Sequence, residues 1–229
     1  MSSKRIHGIV SVMMICVAFT LIICGYSRVI GRKVSGENIR YIIDAGHGIP
    51  DGGAVGVDGT TEQELNLAIA LKLSTQLDQR SVAHMMTRTD ENSIYSEGET
   101  IHAKKVSDVK NRISIANENS SIPLVSIHMN SYPNSSVHGI QVFYSDGNTQ
   151  AKDLADLLQN SFNTAVQPEN TKVTKAISKN VYLFSHVSNP SVLIECGFVS
   201  NSDELNKLKT EEYQQQLANL IADVLASCG

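Results

Sequence analysis

The sequence predicts an α/β domain: a mostly parallel sheet flanked by helices on both faces, preceded by one N-terminal transmembrane or signal segment. Three observations carry this expectation. From residue 39 onward, short apolar runs alternate with stretches whose apolar residues recur at helical spacing. Residues 6–25 contain no Asp, Glu, Lys or Arg. Residues 1–33 hold Lys4, Arg5, Arg28, Arg32 and Lys33 and no acid, a net charge of +5, whereas the whole chain of 229 residues is at −4. The remainder therefore stands at −9, and the two parts have different chemistry.

The first part has the length and polarity of a bilayer span. Twenty residues at 1.5 Å rise cover about 30 Å, the hydrocarbon thickness of a membrane. A buried core helix would show a polar stripe, and this stretch has none. No A-x-A cleavage pattern follows it, so residues 1–27 are read as an uncleaved anchor with the body outside. Flanking charges are too evenly matched to set orientation. Residues 28–38 read as a tether containing Gly31, Ser35 and Gly36.

Residues 39–229 are read as one domain, with elements in order. Arg40–Asp44 is a strand closed by a glycine-rich turn. Leu65, Ile69, Leu73 and Leu77 make a helix, opened by the capping box Thr61-x-x-Glu64. Val82–Thr87 is a strand, and Asp90–Lys105 is polar and reads as a surface loop. Val109, Ile113 and Ala116 mark a second helix, Leu124–Ile127 a third strand and Ile140–Tyr144 a fourth. Ala151, Leu154, Ala155, Leu158 and Phe162 give a third helix. Val181–Phe184 and Val192–Ile194 read as two further strands, and Leu217, Leu220, Ile221, Val224 and Leu225 as a closing helix. A composition 41% hydrophobic and 18% charged excludes a disordered chain. An acidic body excludes bulk nucleic-acid binding, which needs a basic face to displace counterions. Cys196 and Cys228 lack metal-knuckle spacing and are read as buried free thiols rather than a disulfide pair.

Ligand sites of open α/β sheets gather beyond the carboxyl ends of strands. His47, His128 and Glu195 each follow an apolar run, and Glu62 stands at a helix start. Two imidazoles and a carboxylate suit zinc and leave a coordination position for water, while a second carboxylate can take that water's proton. Each residue also has a plainer role. A histidine at a strand end can be structural or solvated, and Glu62 can complement a helix dipole. Glu195 is harder to place so, because a buried carboxylate needs a partner. Spacing alone does not choose between these readings, since the four residues are far apart in the chain.

Several motifs together resemble one family. Asp44-x-Gly46-His47-Gly48, Asp51-Gly52-Gly53-Ala54-Val55-Gly56 and Glu62-x-Glu64-Leu65-Asn66 resemble the opening of the zinc N-acetylmuramoyl-L-alanine amidases. The likeness continues through Thr87-Arg88-x-Asp90, Arg112, Ser126-Ile127-His128-x-Asn130-Ser131 and Gly139, and ends with Pro190–Glu195-x-Gly197-Phe198. The resemblance implies one Zn²⁺ held by His47, Glu62 and His128, with Glu195 as the catalytic carboxylate. It implies hydrolysis of the amide joining the lactyl group of N-acetylmuramic acid to L-alanine in peptidoglycan. Asn130, Arg112 and Arg88 are weaker candidates for substrate contact; for the arginines, structural pairing with Asp90 or Glu118 is the competing role. His84, His102, His138 and His186 match no ligand motif.

Ile49-Pro50-Asp51 and the stretch Lys104–Arg112 are similar to the branch acting on spore cortex, where removal of the peptide precedes muramic-δ-lactam formation. That branch implies action in the forespore intermembrane space. Only ten residues separate His128 from Gly139, too few for the occluding helix of self-inhibited members, so control would fall to a regulatory or metal-stabilising protein partner or to metal supply. A zinc carboxypeptidase and a non-catalytic wall-binding module are the alternative readings.

Overall fold

β1 (Tyr41–Ala45) is buried along its whole length, as its unbroken run Tyr-Ile-Ile-Asp-Ala requires of a strand covered on both faces. The computed structural model of the protein describes residues 39–228. The expected anchor (1–27) and tether (28–38), with Cys16 and Cys24, lie outside the described residues. Among the described residues no helix is long and apolar enough to cross a membrane. Alternation along β1 sends Tyr41, Ile43 and Ala45 to one apolar cluster and Ile42 to another. Asp44, on the parity of Ile42, is a buried carboxylate in a central strand.

Six strands form one sheet in the order β2-β1-β3-β6-β4-β5. β2 (His84–Met86), β1, β3 (Leu124–Asn130) and β6 (Ser191–Phe198) run parallel. β4 (Gln141–Tyr144) is antiparallel to β6 and carries the two-residue edge strand β5 (Lys175–Ala176). The sheet is therefore mixed and mostly parallel. One face is covered by α1 (Glu62–Gln79), α3 (Thr149–Ala165) and α6 (Glu211–Ser227), through Leu65, Ile69, Leu73, Leu158, Phe162, Leu217 and Ile221. The other face carries α2 (Ile101–Glu118) and the single turn α4 (Tyr182–Ser185), packing Ala116 and Leu183 on Ile42 and Leu124. A short helix α5 (Ser202–Leu208) starts where Asn201 Oδ1 accepts from the amides of Asp203 and Glu204.

Three expectations need correction. Val181–Phe184 is not a strand: Tyr182–Ser185 is a helical turn, which puts Leu183 into the cluster under α2, and the sheet edge beside β4 is taken by Lys175–Ala176 instead. The loop read as Asp90–Lys105 stops at Thr100, whose Oγ1 accepts from the Ala103 amide and starts α2. His128 and Glu195 do not end their strands. β3 and β6 continue past them to Asn130 and Phe198, so both lie within the two central strands, opposite each other in register. Cys196 is the expected buried free thiol, whereas Cys228, also read as buried, is a free thiol left exposed at the C-terminal cap of α6.

A buried ion-pair cluster joins β1 to α2. Arg112, 4% exposed, pairs with Asp44 and with Asp108, the latter at 2.8 Å, and Asp44 also accepts from Thr87 Oγ1 (2.7 Å) and Ser126 Oγ (2.6 Å). Burial by itself would raise the Asp44 carboxyl; the Arg112 guanidinium and the Ser126 and Thr87 hydroxyls override it and hold it at about 2. A carboxyl depressed in the folded state contributes stability that is present above its unfolded value near 4 and is lost as pH falls through about 2. Chemical denaturation between pH 6 and pH 2 is expected to show a loss of roughly 2–3 kcal/mol from this group, with Asp44→Asn flattening the slope between pH 4 and pH 2.

Candidate active site

The site is assembled where β1, the start of α1, β3 and β6 converge. After Ala45 the chain turns through Gly46-His47-Gly48, and His47 takes φ 61°, uncommon for a residue with a side chain. The turn is closed by Gly48 and Asp51, which exchange backbone hydrogen bonds of 3.0 and 2.8 Å. Arg112 donates to the His47 carbonyl at 2.6 Å. The His47 ring is thereby presented to Glu62, its Nε2 lying 3.3 Å from Oε2, while its Nδ1 meets Asp51 Oδ2 at 2.8 Å. Burial would lower the His47 pKa, but the hydrogen bonds it donates to Asp51 and Glu62 hold it up at about 9.

Glu62 is the first residue of α1, and Thr61 N donates to Glu64 Oε2 (3.1 Å) as the Glu64 arm of the expected capping box. The Glu62 carboxylate is buried but fully engaged. Oε2 accepts from Ala54 N (2.8 Å), and Oε1 accepts from Met129 N (3.1 Å) and lies 2.8 Å from His128 Nδ1. Asn66, one turn further along α1, donates to the Gly46 carbonyl at 3.0 Å. Burial would raise the Glu62 carboxyl, yet His128 and His47 drive it far below the usual carboxylate range.

His47, Glu62 and His128 each offer a ligand atom, and these atoms all lie within 4.8 Å of one another. The group could hold a metal ion. Two glycines keep it open. A Cβ on Gly46 would sit 2.2 Å from His128 Nε2, and one on Gly53, at φ 69°, would sit 2.5 Å from Glu62 Oε2. A set of two imidazoles and one carboxylate, converging in a cradle that admits no extra carbon, fits a zinc ion. Glu195, opposite His128, has a buried Oε2 with no hydrogen-bond partner among the described residues. Burial raises this carboxyl to about 7, with His128 and His47 opposing the rise and Glu62 adding to it. An unpartnered buried carboxyl beside a metal-type ligand set is poised to exchange a proton.

The remaining candidates separate. Asn130 ends β3, and its Oδ1 accepts from Ser131 N. Arg88 is buried and donates to the carbonyls of Ala45, Gly46, Gln63 and Asp90; Arg112 donates to Asp44, Asp108 and the carbonyls of Ala45 and His47. Arg112 pairs with Asp44 and Asp108 rather than with the expected Asp90 or Glu118, and Arg88 meets Asp90 through its backbone carbonyl. His84 is bonded to Ser74 and Val82, His138 to Ser136, and His186 stacks on Tyr182 with ring centroids 4.0 Å apart. Asp51, Asn66 and Lys105 carry interactions that motif reading left without a role, although Asp51 lies four residues after His47. Beside the histidines runs a groove of about 390 Å³, lined by Lys105, Val109, Tyr182 and Phe184 among others.

Comparison with known proteins decides the family. The profile of the Amidase_3 family, N-acetylmuramoyl-L-alanine amidase, matches residues 42–227. This chain belongs to the N-acetylmuramoyl-L-alanine amidases. It is 31% identical over 180 residues to the germination-specific N-acetylmuramoyl-L-alanine amidase of Bacillus subtilis (strain 168), covering 78% of this chain and 75% of that one. The CwlD amidase from Clostridioides difficile, solved in complex with the GerS lipoprotein, superposes with a TM-score of 0.78 at 35% identity, over 83% of this chain and 98% of that one. An N-acetylmuramoyl-L-alanine amidase from Clostridium difficile 630 gives a TM-score of 0.71 at 31% identity, over 83% and 96%. The expected resemblance, including that to the germination-related branch, therefore stands, and the activity is muramoyl-L-alanine amidase activity on peptidoglycan.

The glycine cradle yields a direct prediction. Gly46→Ala must displace the His128 ring, so the variant is expected to fold and to lose most of its bound metal after dialysis against zinc, measured by elemental analysis of the protein.

Proposed function

We propose that this amidase is a zinc enzyme in which His47, Glu62 and His128 hold the ion and Glu195 moves the proton. The observation that carries the proposal is the unpartnered, buried Glu195 Oε2 opposite a converged His-Glu-His set. When bound, zinc supplies Lewis acidity, polarising the scissile carbonyl and bringing the pKa of water toward ~7. Glu195 accepts the proton of the attacking water at its carboxylate and returns it to the departing L-alanine nitrogen, so the amine leaves neutral. Asp51 receives the Nδ1 hydrogen of His47, keeping Nε2 directed into the site. The groove beside His47 and His128 receives substrate, with Asn130 as a contact. Arg88 and Arg112, whose donors are spent on the protein's own acceptors, hold the His47 turn rather than the ligand.

The cortex reading is supported by the germination-specific relative. On it, the enzyme trims the stem peptide from cortex peptidoglycan as a step toward muramic-δ-lactam, outside the cytoplasmic membrane in the space between forespore and mother cell. On this reading residues 1–27 serve as membrane anchor or signal segment and 28–38 as tether. Because the CwlD neighbour was solved with a lipoprotein, an accessory lipoprotein is the proposed partner here, acting on activity or on metal retention.

Incubation of the full-length protein, with and without zinc, on vegetative-wall and cortex peptidoglycan tests the assignment by mass analysis of the products. New L-alanine N-termini are expected, and released terminal amino acids would instead mark a carboxypeptidase. Glu195→Gln is expected to lower turnover by about 10²–10⁴-fold while zinc stays bound. His128→Ala is expected to lose the zinc itself.

A further inference from the structure

We propose that Asp51 and Lys105 are positioning residues for His47, and that α2 sets through them how tightly the centre holds its metal. The inference rests on the metal reading of the site and concerns residues behind the ligands.

The chain of contacts is short. His47 Nδ1 lies 2.8 Å from Asp51 Oδ2, and Lys105 Nζ lies 3.0 Å from the same oxygen. The second oxygen, Asp51 Oδ1, accepts from Gly53 N at 3.3 Å. Three donors from three places thus fix one carboxylate: the ligand ring, the second turn of α2, and the loop that approaches Glu62. An imidazole that ligates through one nitrogen needs an acceptor for the hydrogen on the other, which sets its tautomer and ring direction. In His47 that acceptor is Asp51, and Nε2 is the nitrogen turned toward Glu62.

α2 reaches the same residue twice. Lys105, Asp108 and Arg112 follow one another at i, i+3 and i+7, along one face of the helix. Arg112 holds the His47 carbonyl, supporting the unusual backbone, and Lys105 holds the carboxylate that holds the ring. Asp108 anchors the Arg112 end: it pairs with Arg112 and accepts from Ile94 N in the loop preceding the helix. The Lys105 side chain is 47% exposed, and an exposed ion pair adds little to folding stability. Its effect therefore falls on the orientation of Asp51 and His47, not on the fold.

The test is zinc affinity of the full-length protein, measured by competition with a chromophoric chelator. Loss of an outer partner of a ligating histidine weakens metal binding by about 10- to 100-fold. Asp51→Ala is expected to fall in that range and Lys105→Met near its lower end, about tenfold, with Lys105→Arg close to the parent. Because Lys105 acts through Asp51, the double variant Asp51→Ala/Lys105→Met is expected to bind no more weakly than Asp51→Ala alone. Thermal unfolding of the zinc-free Lys105 variants is expected to superpose on the parent. Parent-like zinc affinity in Lys105→Met overturns the inference, as do losses that multiply in the double variant. A raised KM for anionic stem peptides at unchanged zinc affinity also overturns it, assigning Lys105 to substrate. If the parent chain binds no zinc, the metal reading itself falls and this inference with it. If the parent binds and the variants bind equally, only this inference falls.

Discussion

A carboxylate buried at the start of a helix must be fully engaged, and meeting that demand at Glu62 organises the centre of this protein. Its two oxygens accept from Ala54 N and Met129 N and face His47 and His128. Those partners come from the loop after β1 and from β3, two pieces distant in sequence from each other. Partial satisfaction would leave a buried charge at a cost of several kcal/mol. The geometry that places the ligand atoms within reach of one ion is thus also a geometry that keeps Glu62 solvated by protein. Ligand set and fold share one constraint, and the glycines at 46 and 53 are where that constraint excludes a side chain.

Behind the ligands, the two sides of the sheet divide the labour. The face bearing α1, α3 and α6 is almost wholly apolar and supplies the main core. The opposite face has a smaller apolar cluster and, beside it, the Asp44–Arg112–Asp108 group. That polar buttress costs desolvation but fixes the turn at His47 from its carbonyl, which an apolar contact does not do. His47 sits in an uncommon backbone conformation, and a directional network holds it there where packing does not.

Legibility in the sequence followed the range of the signal. Helices with sustained apolar periodicity, such as Leu65–Leu77 and Leu217–Leu225, and the central apolar strands were readable because each carries many residues of the same pattern. Val181–Phe184 misled because a four-residue apolar run has no period, and its neighbours decided for a helical turn. β5 has two exposed residues and no apolar signal at all. Strand ends at His128 and Glu195 were placed too early, since polar residues in a central strand look like a terminus when their partners are unseen. The candidate ligands His47, Glu62 and His128, and Glu195 beside them, emerged from motif likeness and not from spacing, because the turn after β1, α1, β3 and β6 bring them together only in three dimensions. Asp51 stood in a quoted motif, but its grip on His47 depends on a loop closure that one-dimensional reading does not display. Lys105 reaches that loop from 54 residues away, which no local pattern reports.

In the proposed centre, two imidazoles and one carboxylate hold a single zinc beside Glu195. X-ray absorption spectroscopy of the zinc-loaded full-length protein tests it most directly. A first shell of N and O donors at about 2.0–2.2 Å, with the multiple-scattering signature of two imidazoles, is expected. A sulfur shell at about 2.3 Å, or the absence of imidazole scattering, would contradict it.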